Sequence, residues 1–355
     1  MVIGVVVGIV SLAAASDPIM GSIGAALYQP VVRAKASTGI TLPMGRCLNL
    51  GGELETGGWP TQDAPSTSRF NAIKAAGFRT IRLPIKWDTH AQTQPGYQID
   101  PRWFAVVDGY VSGASNAGLN VIINIHHFRD LDANPDGNVD RFVAFWDQIA
   151  QHFANAPSSV WFELLNEPHD KVTEPFLRSL YAKALARIRA TNPTRPVIAG
   201  GANGSNSYSI NDLQLPDDPY IVPEFHSYAP LAFTHQGAYW VKPAFPVGVS
   251  FPAAMALQTQ AQQVALIKAY MQRTGRVPVM LEFGAIGLAA KQDRIRYYRT
   301  MSSAMASLGV YSCVWNDKMF PLLNNGAWDR DLLASIASPI EAPLRKARRK
   351  RVHKS

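Results

Sequence analysis

Eight short runs rich in apolar and β-branched residues, set apart by stretches of helical periodicity, leave this chain few folds to choose from. The runs are Arg46 to Leu50, Thr80 to Pro84, Asn120 to Ile125, Val160 to Leu165, Pro196 to Ala199, Tyr220 to Phe225, Val277 to Phe283 and Val310 to Trp315. Strands that alternate with helix-compatible stretches indicate a parallel sheet with crossover helices. Eight of them match the number needed to close a barrel. The expected class is α/β, a (β/α)8 TIM barrel in a single domain over residues 45–340, and the usual barrel of roughly 250 residues fits within 355.

The intervening segments support this. Phe142, Phe145, Trp146, Ile149 and Phe153 recur at three- and four-residue steps and so share one helical face, as do Leu177, Leu180, Tyr181, Ala184, Leu185 and Ile188. Thr173 is placed to begin the second of these helices, with Pro175 in its first turn, where a missing N–H costs nothing. Gly77 and Gly118 precede the second and third runs, where a left-handed helix end is required. Trp87, Trp103 and Trp161 read as packing residues.

Net charge +8 suggests a nucleic-acid partner until it is divided along the chain. Residues 341–355 hold seven Lys or Arg against one Glu, so most of the excess belongs to a basic tail, which reads as a solvated end. No nucleic-acid partner is expected. Contact of the tail with an anionic envelope or polysaccharide is the alternative. Residues 2–15, VIGVVVGIVSLAAA, are too short to span a bilayer and read as a signal-peptide core within residues 1–16, although no Lys or Arg precedes it. Export to the periplasm or medium is expected, with an uncleaved membrane anchor as the alternative. Residues 17–44 read as a leader or linker. Cys47 and Cys313, the only two cysteines, read as buried free thiols. Barrel closure would nevertheless make their strands neighbours, so a single disulfide is conceivable.

In a parallel barrel, every strand ends at the same face, and the reacting groups gather there. The run ends carry Asn49 and Glu55, then Arg82, then His126 and His127, then Asn166 and Glu167, then His226 and Tyr228, then Glu282 and Trp315. Glu167 lies in Asn-Glu-Pro after VWFELL, and Glu282 lies in Leu-Glu-Phe-Gly after VPVM. Adjacent His126 and His127 cannot both point inward unless the strand has already ended. A packed core histidine is the alternative reading for one of them. A zinc site built from these and His226 lacks the supporting Asp or Cys spacing, so no metal and no cofactor are expected.

The motifs LNEP at 165–168, HSY at 226–228, LEFG at 281–284, IHH at 125–127, IRLP at 81–84 and FTHQGAYW at 233–240 resemble those of glycoside hydrolase family 5, in its bacterial endoglucanase branch. The resemblance runs from about Arg46 to Asp331. It implies a retaining, endo-acting β-glycosidase, most like an endo-β-1,4-glucanase, that acts on a polysaccharide or oligosaccharide as a monomer. β-Mannanase, xyloglucanase and β-1,3-glucanase activities share the mechanism, and a glycan-binding barrel without catalysis is the rival from another class.

The resemblance also implies roles. Glu167 would be the general acid/base, its pKa raised while its neighbour is charged, and Glu282 the nucleophile. Asn166 would bond the sugar 2-hydroxyl, Tyr228 would hold Glu282, Arg82 would keep it ionised, and His226 would touch both the acid/base and the sugar. His126, His127 and Trp315 would bind sugar on the non-reducing side, and His235 and Trp240 in the loop after the sixth strand. Glu55 would accept a hydroxyl at the rim. Gly52 stands where this branch commonly has Asn, so one polar contact is missing.

Overall fold

The computed structural model describes residues 39–60 and 67–339, so the readings of residues 1–16, of 17–38 and of the basic tail lie outside the described residues. The chain runs β1 (Arg46–Asn49), α1 (Thr67–Ala75), β2 (Phe78–Leu83), α2 (Pro101–Asn116), β3 (Asn120–Asn124), α3 (Arg129–Ala133), α4 (Val139–His152), β4 (Val160–Glu163), α5 (Glu174–Thr191) and β5 (Val197–Ala199). It continues through β6 (Ile221–His226), α6 (Leu231–Thr234), α7 (Ala254–Thr274), β7 (Val279–Phe283), α8 (Lys291–Ser307) and β8 (Ser312–Val314) to a small hairpin of β9 (Leu323–Asn324) and β10 (Ala327–Trp328), then α9 (Arg330–Ser335). Strands β1 to β8 pair in order and close into one parallel barrel. Among the described residues, no helix is long and apolar enough to cross a membrane.

The predicted faces are the buried ones: Phe142, Phe145, Trp146 and Ile149 of α4, and all six named residues of α5. Gly77 and Gly118 take positive φ. After β5 the chain makes only the short turn Ser209–Asn211 in place of a full helix. The sequence there, GGANGSNSYS, is rich in residues that favour turns over helix interiors. Leu42 and Met44 are buried with the barrel's inner residues, so the expected linker gives way to the domain before residue 45.

Strand alternation builds the barrel interior in bands. Cys47, Ile122, Trp161, Ile198, Val222 and Cys313 belong to one apolar cluster inside the ring. Two residues farther along the same strands, on the same face, stand Asn49, Asn124, Glu163, Gly200, Glu224 and Trp315, and Arg82 follows Thr80 in the same way on β2. A dry floor thus supports a polar layer. The floor also carries a correction: Cys47 and Cys313 form a disulfide, not two free thiols. Closure sets β1 against β8 with these two residues in register, their Cα atoms 4.2 Å apart, and both side chains point inward.

On β7 the alternation slips. Val279 and Leu281 pack inside, while Met280 and Phe283 pack against the helices. Phe225 and His226 on β6 face Met280 and Glu282, and Ser312 and Val314 on β8 face Met280 and Phe283. Strand β7 therefore carries one residue more than either neighbour. Such a bulge re-aims a side chain, and here it turns Glu282 inward directly after inward Leu281.

Candidate active site

Arg82, fully buried on β2, organises the polar layer. Its Nε and Nη2 each donate at 2.6 Å to Glu163, Nη1 donates to Glu282 Oε1 at 2.7 Å and to Asn49 Oδ1 at 2.9 Å, and Nη2 also reaches Asn166 Oδ1 at 2.6 Å. These five bonds use all five guanidinium donors. Burial opposes the charge, but the Glu163 and then the Glu282 carboxylates more than offset it and hold Arg82 above its ordinary value.

Glu282 is buried and held at both oxygens, Oε1 by Arg82 and Oε2 by the Tyr228 hydroxyl at 2.8 Å. Glu167 follows the end of β4 with φ +44°, a left-handed conformation that costs on the order of 1–2 kcal/mol for an L-residue. This conformation accompanies a half-open carboxylate whose Oε1 accepts from His226 Nδ1 at 2.8 Å. One oxygen of Glu167, one of Glu282 and a ring nitrogen of His226 all lie within 4.8 Å of one another.

The other predicted residues divide. Asn166 is buried beside the pair, and its Nδ2 has no hydrogen-bond partner among the described residues. His126 is buried, meets Asn124 Nδ2 through Nδ1 at 3.2 Å and lies parallel to the Trp315 ring at 6.1 Å. Because β3 ends at Asn124 and His127 takes φ +56°, the two histidines escape strict alternation, and their rings meet edge to face at 4.1 Å. Trp315 is half-buried. A Cβ on Gly51 would come within 2.9 Å of its ring, so Gly51 leaves the indole room beside β1. His235 packs at 5.0 Å from Tyr228 and 6.1 Å from Trp240, joining the lip formed by the loop after β6. The Glu55 carboxylate accepts from the backbone N–H groups of Gly52 and Glu53 in its own turn.

The model of the family described as Cellulase (glycosyl hydrolase family 5) matches residues 45–319. This chain belongs to that family. Endoglucanase H of Acetivibrio thermocellus is 31% identical over 309 residues, covering 83% of this chain. This chain spans only 33% of that relative's length. Among solved structures, Cel5A of Thermotoga maritima in complex with mannotriose superposes with TM-score 0.79 at 30% identity, over 83% of this chain and 97% of that one. The clostridial cellulose synthase subunit Z of Clostridioides difficile does so with TM-score 0.78 at 27% identity, over 82% and 99%. Family 5 membership makes the chain a glycoside hydrolase with a saccharide substrate.

The electrostatics of this family 5 site correct one expectation. Burial raises Glu167, but the hydrogen bond and charge of His226 outweigh it, so Glu167 sits below the ordinary carboxyl value. Burial pushes Glu282 up, and His226 and Arg82 pull it only part of the way back. His226 is itself held at about 9: burial disfavours its charge, and Glu282, Glu224 and Glu167 together overcome that. The hydrogen bond between them therefore favours a proton on the imidazole over the one expected on Glu167.

Glu167, Glu282 and His226 also have the donor types of a cation site. Arg82 and Tyr228 already bond both oxygens of Glu282, and the guanidinium charge 2.7 Å away repels a cation. The arrangement suits proton and glycosyl transfer. Sequence reasoning missed Glu163, the bidentate partner of Arg82, and Glu224, 3.4 Å from His226 Nε2. A signal existed in each case, since each Glu stands on the inward face of an otherwise apolar run, VWFELL for Glu163 and YIVPEF for Glu224.

Proposed function

We propose that this chain is an endo-acting β-1,4-glucanase that hydrolyses with retention, Glu282 attacking the anomeric carbon and Glu167 serving as proton donor and then as base. The separation of the two carboxylates carries this reading. Retaining glycosidases hold the pair about 5–5.5 Å apart, whereas inverting ones leave roughly 6.5–9.5 Å for a water, and here the oxygens approach within 4.8 Å.

The sequence of events follows from the contacts. A pyranose entering the cleft strips water from Glu167, the more exposed partner, and raises its affinity for a proton. The proton in the His226–Glu167 hydrogen bond then passes to Oε1, leaving a neutral acid beside a neutral imidazole. Glu282 bonds to the anomeric carbon as Glu167 protonates the departing oxygen. Afterwards Glu167 takes a proton from water, which attacks the same carbon and frees Glu282. Asn166 Nδ2, buried and unpartnered, is available to the sugar 2-hydroxyl, a contact that strengthens towards the oxocarbenium-like transition state. His126, His127 and Trp315 on one side, and His235 and Trp240 on the other, supply the walls.

Purified protein assayed on carboxymethylcellulose, mannan, xyloglucan and laminarin tests the substrate class. The fastest release of reducing ends is expected from carboxymethylcellulose, and NMR of early products should show the β-anomer first. Mannan as the preferred polymer would move the chain to the mannanase reading, for which the mannotriose complex of the Thermotoga relative is the supporting observation. Glycan binding without product would leave only the non-catalytic reading.

The disulfide supports export, because such bonds persist in oxidising compartments. Residues 2–15 as leader or anchor and the basic tail add a second setting, an envelope-associated glucanase that trims a polymer as it is made. The likeness to a cellulose synthase subunit favours it. Fractionation decides, since membrane pellet and culture supernatant give opposite answers.

A further inference from the structure

His226 has two ring nitrogens, and only Nδ1 faces the reacting carboxylates. Its Nε2 has no conventional hydrogen bond among the described residues, and 3.4 Å away lies Glu224 Oε2, fully buried inside the barrel. The space for this carboxylate is built in. On the neighbouring β5 side, a Cβ at Gly200 would stand 1.8 Å from Glu224 Oε1 and 2.2 Å from Ser205 Oγ, so only a residue without a side chain fits. Strand alternation explains the placement: Glu224 lies one inward position below His226, directly above Val222 in the dry floor.

We propose that Glu224 is a positioning residue that acts through His226, setting on which side of the His226–Glu167 hydrogen bond the catalytic proton rests. This rests on the reading of Glu167 as proton donor. The carboxylates of Glu224 and Glu167 flank one imidazole, at Nε2 and Nδ1 respectively. An ionised Glu224 favours imidazolium and so draws the proton from Glu167; a neutral Glu224 releases it. Burial raises the Glu224 carboxyl to about 7, opposed by the charge of His226, so both forms are within reach near neutrality. Other groups face the pair. Glu224 also senses Glu163 on β4, Ser205 after β5 and Arg82 on β2, with Tyr181 of α5 behind it. His226 further senses Glu282 on β7 and His126 after β3.

The test is Glu224→Gln, which keeps the shape and removes the charge. Losing a nearby negative charge lowers the proton affinity of the His226–Glu167 pair, so the alkaline limb of kcat/KM on a soluble cello-oligosaccharide should move down by about one pH unit or more. KM should stay within about twofold, since Glu224 touches no sugar. On 2,4-dinitrophenyl cellobioside, whose leaving group needs no proton, the kcat/KM profile should stay as in the wild type. Glu224→Asp should restore part of the shift.

Superimposable alkaline limbs for Glu224→Gln and wild type would overturn the proposal, as would equal losses on both substrates, which mark a merely structural residue. Should Glu224→Gln not fold, NMR titration of the His226 ring in the wild-type protein and in Glu224→Asp decides instead. A lower midpoint in Glu224→Asp, whose shorter side chain draws the carboxylate back from Nε2, supports the link, and equal midpoints overturn it. Wild-type protein that releases no sugar would defeat the proton-donor reading alone, because this pair of ring titrations still reports on the contact with Glu224.

Discussion

The two carboxylates proposed to react, Glu167 and Glu282, have oxygens within 4.8 Å of each other, yet they are held in opposite ways. Glu282 is closed in, each oxygen bonded to a donor fixed by the barrel wall, and one of those donors is a guanidinium with no freedom left. Glu167 is a third exposed and hangs on one hydrogen bond to an imidazole. A nucleophile must stay aimed, whereas an acid/base must trade a proton with what enters the cleft. One side is organised for direction and the other for exchange.

The hardest blow to this contrast is Glu282→Gln. It should lower kcat by roughly 10⁴-fold or more, as loss of a nucleophile does in other covalent enzymes, on glucan and aryl glycoside alike. Appreciable residual turnover on either would remove Glu282 from the nucleophile role. Glu167→Gln sharpens the contrast. It should cost about 10²–10⁴-fold on a polymeric glucan, while the burst of dinitrophenol from an activated cellobioside survives, because that leaving group needs no acid. Equal losses in both assays would show that the two sides do the same work.

Tyr228→Phe removes one of the two clamps on Glu282. A hydrogen bond to a charged group contributes about 1.5–3 kcal/mol, so kcat/KM should fall by roughly 10- to 100-fold. A change below about twofold would mean that Arg82 aims the nucleophile unaided.

The smaller effects are on stability. His226, at about 9 in the folded chain, lies above its unfolded value of about 6.5. Its contribution is therefore fully present below about pH 6.5 and is lost as pH rises through about 9. Against wild type, the melting temperature of His226→Gln should differ most in mild acid and least above pH 9, and a gap that widens with pH would reverse the sign assigned here. At the seam, Cys47→Ser with Cys313→Ser should cost about 2–5 kcal/mol of stability and leave kcat within about twofold, because the bond lies in the floor beneath the reacting layer. A large loss of kcat would show that the floor sets the geometry of the mouth.

Much of this was legible in the sequence because it depends on periodicity. Eight apolar runs and two helical faces announce the barrel, and the polar residues that interrupt the runs mark its mouth. What resisted reading depends on register or on closure. Simple alternation with Leu281 turns Glu282 towards the helices, and only pairing with both neighbours reveals the surplus residue in β7. The disulfide required knowing that the first strand meets the last with Cys47 opposite Cys313, which no local pattern encodes. The bonds from Gly52 and Glu53 that fix the Glu55 carboxylate belong to a loop conformation without a periodic signature. Glu224 hid because a strand carboxylate looks costly until a glycine on the adjacent strand gives it space.

The surplus residue in β7 has an evolutionary consequence. Deleting Met280 or Leu281 would restore a regular ladder with Glu282 still opposite His226 and still turned inward. A one-residue deletion inside β3 or β4, whose shared ladder is already regular, would instead turn every later side chain of the strand to the wrong face. Single-residue deletions should therefore be tolerated in β7 before they are tolerated in those strands.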